Sequence, residues 1–251
     1  MAPAPAGGER VIAVVPARWG STRFPGKALA LLEGTPIIVH ALRRAAEAKC
    51  VQRVIAAVDD ERIAKAARDA GFEVVITRAD HPNGTSRIAE VAEKLHCELV
   101  VNVQGDEPRI EPTLIELAVD ALDRAGREVP VATVASPFMP GEDPANPNIV
   151  KAVVGANGRA LYFSRSLVPF NRDGTAEGVK PLKHVGLYVY RRPFLPTFVL
   201  MPSTPLERTE QLEQLRVLEN GYDIAVAIGE AKFHGVDTPE QLAALATKVR
   251  N

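Results

Sequence analysis

The chain has 251 residues, of which 46% are hydrophobic and 24% charged, a balance that allows one large core or two small ones. Its 30 basic and 31 acidic side chains give a formal net charge of -1, which disfavours nucleic acid or an anionic membrane as a partner. No apolar run approaches the roughly 20 residues of a membrane-spanning helix. The two cysteines, Cys50 and Cys97, lack metal-ligand spacing and indicate packing residues in a reducing compartment. We therefore expect a cytoplasmic protein without membrane insertion.

The first nine residues are rich in Ala, Pro and Gly and lack the apolar core of a signal peptide. They predict a disordered tail over 1–9, followed by a single domain over 10–251.

The first half of that domain alternates between two hydrophobic periods. Segments typical of buried strands alternate with segments whose apolar residues have helical spacing. The predicted order is strand 10–17, helix 36–49, strand 53–58, helix 61–70 with Gly71 as its stop, strand 73–77, helix 86–95 and strand 99–103. This alternation predicts an α/β fold with an open, mostly parallel, Rossmann-like sheet. Ligands of such sheets bind beyond the carboxyl ends of the strands.

The middle of the chain loses this alternation. Four strand-like segments without intervening helices are predicted at 129–135, 150–154, 160–164 and 184–190, and the turn at 155–158 predicts a hairpin. We expect an antiparallel extension of the sheet, over about 129–195. Its exposed-looking apolar residues Leu187, Val189 and Phe170 make it the predicted surface of a homodimer.

The end of the chain returns to mixed elements. The pattern predicts a helix over 205–219, a strand over 223–228 and a closing helix over 239–249.

The loop after the first strand is basic and contains glycines. Arg18, Arg23 and Lys27 supply positive charge, while Gly20 and Gly26 allow the backbone to approach a ligand closely. The segment indicates a cradle for a triphosphate, with Lys27 placed to touch the phosphate at the bond that breaks. The alternative is an exposed basic loop.

Two familiar nucleotide motifs do not explain this loop. Five residues separate the two glycines where a Walker A loop has four, and Ala28 stands where Ser or Thr would bind magnesium. The GxGxxG dinucleotide pattern is also absent.

Two aspartates are candidate site carboxylates, although the spacing of Asp237 alone favours a helix cap. Asp106 comes after the strand 99–103, where a turn aspartate is common, and Asp237 precedes the last helix, where a capping role is unremarkable. A bound triphosphate, however, usually brings magnesium, which prefers one or two carboxylates together with substrate phosphates.

Six motifs in order carry a resemblance to a known family. They are PARWGSTRFPGK at 16–27, TRADH at 77–81, NVQGDEP at 102–108, YFSR at 162–165, LEQLRVL at 212–218 and GVDTPE at 235–240. The set resembles the sugar-activating nucleotidyltransferases, and among them most closely the 3-deoxy-manno-octulosonate cytidylyltransferase family. The resemblance implies a nucleotide-diphospho-sugar transferase type of fold. It also implies transfer of CMP from CTP to an acidic eight-carbon sugar, Kdo, for lipopolysaccharide biosynthesis.

The same resemblance implies roles for individual residues. Asp106 and Asp237 become a Mg²⁺-binding pair, and Arg18, Lys27 and Asp106 the catalytic residues. The implied nucleotide contacts are Pro16, Ala17, Arg18, Ser21, Lys27, Arg78 and Gln104. The implied sugar contacts are Gln104, Arg165, His184, Tyr188, Glu213 and Gln214, with Arg165 forking onto the sugar carboxylate. Taken alone, His184 is a packed strand histidine, and Arg78, Glu213 and Gln214 are solvated side chains.

Two positions depart from the family pattern. Lys183 stands where the family often has Arg, and Ser86 where it often has Glu, while the stretch from Arg165 to His184 is short. These changes leave open a close analogue of Kdo as the acceptor. A CMP-sialate-type or other sugar nucleotidyltransferase shares the first loop. A catalytically dead nucleotide sensor or a scaffold on the same fold is the alternative from another class.

Overall fold

A computed structural model of the protein describes residues 9–21, 24–174, 178–232 and 235–247. The strands in these residues are β1 (Glu9–Ala17), β2 (Leu31–Leu32), β3 (Thr35–Pro36), β4 (Arg53–Val58), β5 (Glu73–Ile76), β6 (Cys97–Val103), β7 (Val131–Pro137), β8 (Lys151–Val154), β9 (Ala160–Ser164), β10 (Leu182–Arg191) and β11 (Ile224–Ile228). The helices are α1 (Ile37–Ala46), α2 (Glu61–Asp69), α3 (Gly84–Ala92), α4 (Pro112–Arg124), α5 (Phe194–Leu200), α6 (Pro205–Glu210), α7 (Gln214–Glu219) and α8 (Pro239–Thr247), with a 3₁₀ turn at Lys27–Leu29.

The central sheet has the strand order β11-β7-β10-β6-β1-β4-β5. β1 pairs in parallel with both β4 and β6, whereas β10 runs antiparallel between β6 and β7. The prediction of an α/β fold with a mostly parallel sheet and antiparallel strands is confirmed.

Both faces of this sheet are covered. Along β1, Val11, Ala13 and Val15 face the core under α1, α2 and α4, while Ile12 and Val14 face the core under α3, α5 and α7. Such two-sided burial explains why the strand has a continuous apolar sequence rather than an alternating one.

The middle of the chain contributes more to the main sheet than expected. β7 and β10 lie inside it, and β8 with β9 forms the predicted antiparallel hairpin, joined to the sheet where β8 pairs with the start of β10. Leu187 and Val189, predicted as exposed dimer residues, are 1% and 0% exposed. They are core residues because β10 has a neighbour on either side and α4 packs against it.

Several boundaries differ from the prediction. Glu9, assigned to the tail, begins β1 and pairs with Cys97, while residues 1–8 lie outside the described residues. The predicted helix 205–219 is two helices, because Gln211 between them has a left-handed φ of 55°. Helices α4 and α5 were not predicted. The last helix is described as far as Thr247.

No helix in the described ranges is both long enough and apolar enough to cross a membrane.

Candidate active site

A cavity of about 380 Å³ lies at the carboxyl ends of β1 and β6, beside the start of α3. Its walls come from the first loop, the start of α3, the loop after β6 and the segments before α7 and α8. The lining residues are Pro16, Ala17, Arg18, Ser21, Lys27, Ala28, His81, Pro82, Asn83, Gly84, Arg87, Gln104, Gly105, Asp106, Glu213 and Asp237. The predicted strand-end position of the site is where this cavity lies.

The loop after β1 folds around Trp19. The Trp19 carbonyl accepts hydrogen bonds from the backbone N–H groups of Ser21 (2.9 Å) and Gly26 (3.4 Å). Gly26 has a φ of +70°, and a Cβ there would lie 3.1 Å from the Trp19 ring, so both backbone conformation and space favour glycine. Arg18 and Ser21 line the cavity. Arg23, the third predicted cation, lies outside the described residues.

Lys27 brings the two predicted metal ligands together. Its Nζ lies 2.5 Å from Asp106 Oδ2 and 3.1 Å from Asp237 Oδ1. The two segments are neighbours, since the Val236 N–H donates to the Asp106 carbonyl at 2.8 Å. Asp106 can approach β1 because Gly105 has no side chain, and a Cβ there would lie 2.6 Å from the Pro16 carbonyl oxygen.

Asp237 is not the cap of α8. The Gln241 N–H donates to Thr238 Oγ1 at 3.3 Å, and Gln241 Oε1 accepts from the Thr238 and Asp237 N–H groups at 3.1 and 2.6 Å. This is a capping box in which Thr238 is the N-cap. The Asp237 carboxylate instead contacts Lys27 Nζ and lines the cavity.

The donor set suits Mg²⁺. Two carboxylates converge on Lys27 beside the basic loop after β1, and Mg²⁺ is commonly held by one or two carboxylates plus substrate phosphates. The described residues contain no group of three or more His, Cys, Asp or Glu side chains that could hold a metal ion. The adjacent Glu107 is half-buried, and its desolvation together with the nearby carboxylates raises its pKa to about 8.

The wall beside α3 was only partly predicted. His81, Asn83 and Gly84 line it, whereas Arg78 is exposed and absent from the lining, with its Nε 3.5 Å from Asp80 and 3.7 Å from Glu90. The TRADH match pointed to this segment, but Arg78 points towards solvent in this structure.

Two of the predicted sugar contacts line the cavity, Gln104 and Glu213. Gln104 donates to Asn102 Oδ1 at 3.1 Å, and Glu213 accepts from Thr85 at 3.3 Å. Burial raises the pKa of Glu213, while the bond from Thr85 lowers it.

Three further predicted sugar contacts, His184, Tyr188 and Gln214, are absent from the cavity lining. The His184 ring contacts Phe163 and Tyr188 at centroid distances of 5.0 and 5.4 Å, and its Nε2 lies 2.9 Å from Thr133 Oγ1. Desolvation by burial lowers the pKa of His184 to about 4 and raises that of Tyr188. Gln214 is buried, and its Nε2 has no hydrogen-bond partner among the described residues.

Arg165 does not reach the cavity wall. Its guanidinium donates to the backbone carbonyls of Glu210 (2.7 Å), Pro147 (3.0 Å) and Gln211 (3.3 Å). The bonds to Glu210 and Gln211 connect the residue after β9 to the end of α6 and the residue that follows it.

Both departures from the family pattern have local partners. Buried Lys183 lies 2.8 and 2.9 Å from the two carboxylate oxygens of Glu142. Ser86 donates its N–H to Asn83 Oδ1 at 2.8 Å, which caps α3.

A cationic loop that faces paired carboxylates at the open edge of a parallel sheet defines an α/β nucleotidyltransferase. A family model described as cytidylyltransferase matches residues 12–224.

Comparison with known proteins defines the class of nucleotidyltransferase more narrowly. The chain is 48% identical over 239 residues to the 3-deoxy-manno-octulosonate cytidylyltransferase of Syntrophobacter fumaroxidans, covering 94% of this chain and 95% of the relative. It is 46% identical over 247 residues to that of Syntrophotalea carbinolica, covering 96% and 98%. A solved CMP:2-keto-3-deoxy-manno-octonic acid synthetase complexed with CTP superimposes with a TM-score of 0.89 and 39% identity, covering 96% and 98%. The chain belongs to the 3-deoxy-manno-octulosonate cytidylyltransferase family.

Proposed function

We propose that the protein transfers CMP from CTP to the anomeric hydroxyl of 3-deoxy-D-manno-octulosonate (Kdo), giving CMP-Kdo and pyrophosphate. The observation that carries the proposal is the contact of Lys27 with both Asp106 and Asp237 beside the basic loop after β1. Relatives that cover nearly the whole chain bear this enzyme's name.

The reaction brings two anions together. The sugar hydroxyl attacks the α-phosphorus of CTP in line, loses its proton, and the bond to the pyrophosphate oxygen breaks. Arg18 and Lys27 lie in the cavity wall, where they reduce the repulsion between triphosphate and sugar acid and orient the α-phosphate. Asp106 and Asp237 would hold Mg²⁺, whose chemistry there would be further positive charge against the phosphates.

The remaining residues around the cavity are assigned to the nucleotide or to the sugar. We assign the backbone of Pro16 and Ala17, together with Ser21, to the nucleotide, and Glu213 to the sugar, with Gln104 between the two. Arg78 reaches the nucleotide in this proposal by turning inwards from its exposed position. We also assign His184, Tyr188, Gln214 and Arg165 to the sugar, with Arg165 as the contact of its carboxylate, although none of the four lines the cavity in this structure.

We also propose the setting in which the reaction occurs. Both cysteines are free thiols, as a cytoplasmic compartment favours. The product would serve lipopolysaccharide biosynthesis, and the active form would be a homodimer.

The test is pyrophosphate release from purified protein with CTP, Mg²⁺ and Kdo, each omitted in turn. We expect release only when all three are present, CTP preferred over UTP, and no turnover with ATP. A Lys27→Met variant, which keeps the length of the side chain but removes its charge, should lose turnover.

Two results would contradict the proposal. Faster release with N-acetylneuraminate than with Kdo would favour a CMP-sialate-type enzyme. CTP binding without turnover on either sugar would favour a nucleotide sensor.

A further inference from the structure

Asp59 joins two parts of the molecule that line the cavity. It directly follows β4, the strand between β1 and β5. Its Oδ1 accepts the Trp19 backbone N–H at 2.9 Å, and its Oδ2 accepts from Arg87 Nη2 on α3 at 2.9 Å. The side chains of this ion pair are 9% and 3% exposed.

Arg87 extends the connection to the end of β5. Its Nη1 donates to Thr77 Oγ1 and, at 3.1 Å, to the Arg78 carbonyl. Thr77 Oγ1 in turn donates to the Val58 carbonyl at 3.1 Å. The segments that follow β1, β4 and β5 and the helix α3 therefore share one buried network.

The other end of the network is the loop after β1, at 18–27, which we call the phosphate loop. Asp59 holds the N–H of Trp19, and the Trp19 carbonyl holds the N–H groups of Ser21 and Gly26. The Trp19 ring packs against Gly26 on one side and lies 3.3 Å from the Arg62 guanidinium. Because Lys27 follows Gly26 directly, its position depends on these contacts.

We infer that Asp59 is a positioning residue for CTP, which holds the phosphate loop and α3 in register across the cavity. Asp59 is not among the cavity-lining residues, so it acts through Trp19 and Arg87. A buried ion pair that loses one partner leaves an uncompensated charge, and Arg87 lines the cavity where that charge would be felt. The inference rests on the proposed function for the identity of the nucleotide.

The experiment uses the Asp59→Asn variant. Asn has nearly the same size and can still accept from Trp19, but it no longer neutralises Arg87. Trp19 is the single tryptophan of the chain, so intrinsic fluorescence reports on the loop itself. We expect the KM for CTP to rise about tenfold or more, the KM for Kdo to change less than about twofold, and the Trp19 response to CTP alone to require correspondingly more nucleotide.

A control is Asp223→Asn, which removes one of the two acidic partners of Arg159 at the hairpin and β11 and leaves the other, Glu128. It should leave both KM values and the fluorescence response unchanged. If Asp59→Asn does not fold, Asp59→Glu keeps the charge but displaces both acceptor oxygens, and it should show the same selective rise in the KM for CTP.

Two outcomes would overturn the inference. One is an equal loss for CTP and Kdo together with a lower melting temperature, which indicates a purely structural ion pair. The other is CTP binding by fluorescence that Asp59→Asn and Asp59→Glu leave unchanged. Fluorescence with CTP alone does not depend on sugar transfer, so a wild-type protein inactive towards Kdo would contradict the proposed function without deciding the role of Asp59.

Discussion

At the scale of single residues, Asp237 shows what the structure adds to the sequence. Its position before the last helix favoured a helix cap, and only the family resemblance implied a metal ligand. The capping box of Thr238 and Gln241 removes the first reading, and the 3.1 Å contact with Lys27 places the carboxylate at the cavity. Loss of the Asp237 charge should therefore affect activity and not folding.

We predict that Asp237→Asn keeps its melting temperature within a few degrees of wild type and lowers turnover roughly 10²-fold, about 2.7 kcal/mol of transition-state stabilisation. Asp106→Asn should behave alike. Calorimetry and pyrophosphate release on the same preparation measure both quantities.

Thr238→Ala is the control with the opposite pattern. Removal of the N-cap should cost about 1 kcal/mol of stability and leave turnover near wild type. Wild-type turnover of Asp237→Asn at limiting Mg²⁺ would remove half of the proposed metal site.

Arg165 carries a second residue-level prediction. Three of its five N–H donors, one on each nitrogen, bind backbone carbonyls of the described residues. One N–H on each terminal nitrogen can therefore bind a carboxylate. Arg165→Ala should lower stability by about 1–2 kcal/mol and raise the KM for Kdo far more than that for CTP. Arg165→Lys, which keeps the charge but loses the fork, should lie between the two. Equal changes in both KM values would leave Arg165 with the structural role alone.

His184 predicts a pH dependence of stability. Its folded-state pKa of about 4 lies below the ordinary value of 6.5, so between these values the unfolded chain binds a proton that the folded chain does not. The resulting stabilisation is fully present above pH 6.5 and is lost as the pH falls towards 4, by at most about 3 kcal/mol. His184→Gln retains a partner for Thr133 but cannot titrate. Urea unfolding should show a shallower loss between pH 6.5 and 4 for this variant, and equal slopes would contradict the assignment.

The site was predictable where each of its residues stands in a local motif that resembles the family. Lys27, Asp106 and Asp237 stand in three such motifs, although Lys27 is 79 and 210 residues away from the two aspartates in sequence. The link from Trp19 through Asp59 to Arg87 joins positions 40 and 28 residues apart. No local pattern encodes it, since each residue alone is compatible with a solvated loop.

At the scale of elements, the break between α6 and α7 has a definite cause. Gln211 is left-handed, and the N–H groups of Gln211 and Leu212 both bond to the Glu207 carbonyl. With Leu212 buried, this is a Schellman-type helix end. Glycine usually marks such an end, and glutamine gives no such signal, so the leucine spacing alone predicted a continuous helix. Helix α4 is a different case, because Pro112 at its first turn and the spacing of Leu114, Ile115 and Ala118 were visible in the sequence.

Substitutions at Gln211 test this interpretation. Gln211→Gly should raise stability by up to about 1 kcal/mol, because glycine adopts positive φ without steric cost. Gln211→Val should lower it by about 1–2 kcal/mol, since a β-branched residue is least tolerant of that conformation. Thermal unfolding measures both. The reverse order of the two variants would show that the Gln211 side chain, which donates to the Arg208 carbonyl at 2.7 Å, outweighs its backbone strain.

At the scale of the whole molecule, most of the sheet could be predicted because strands buried on both faces have continuous apolar sequences. The position of β10 could not. Its alternating burial resembles that of an edge hairpin, yet it is an interior strand between β6 and β7. Which strands become neighbours depends on long-range pairing, which the hydrophobic period of a single strand does not specify.

The same stretch of chain carries the last prediction, a homodimer. Of the three residues first expected at its surface, Leu187 and Val189 are buried and Phe170 is 82% exposed. Leu161, Leu167 and Val179 are also exposed, at 63, 45 and 79%. All four lie within 161–179, on β9 and the segment after it, and exposed apolar residues concentrated in one region indicate a protein interface. Light scattering should give twice the 27.0 kDa mass of one chain. Phe170→Glu should shift the equilibrium towards monomer by placing a charge in the interface. Leu200→Glu changes an equally exposed leucine, 83% exposed at the end of α5, and should leave the dimer intact. A wild-type monomer at working concentration, or equal effects of the two variants, would show that this region is not the interface.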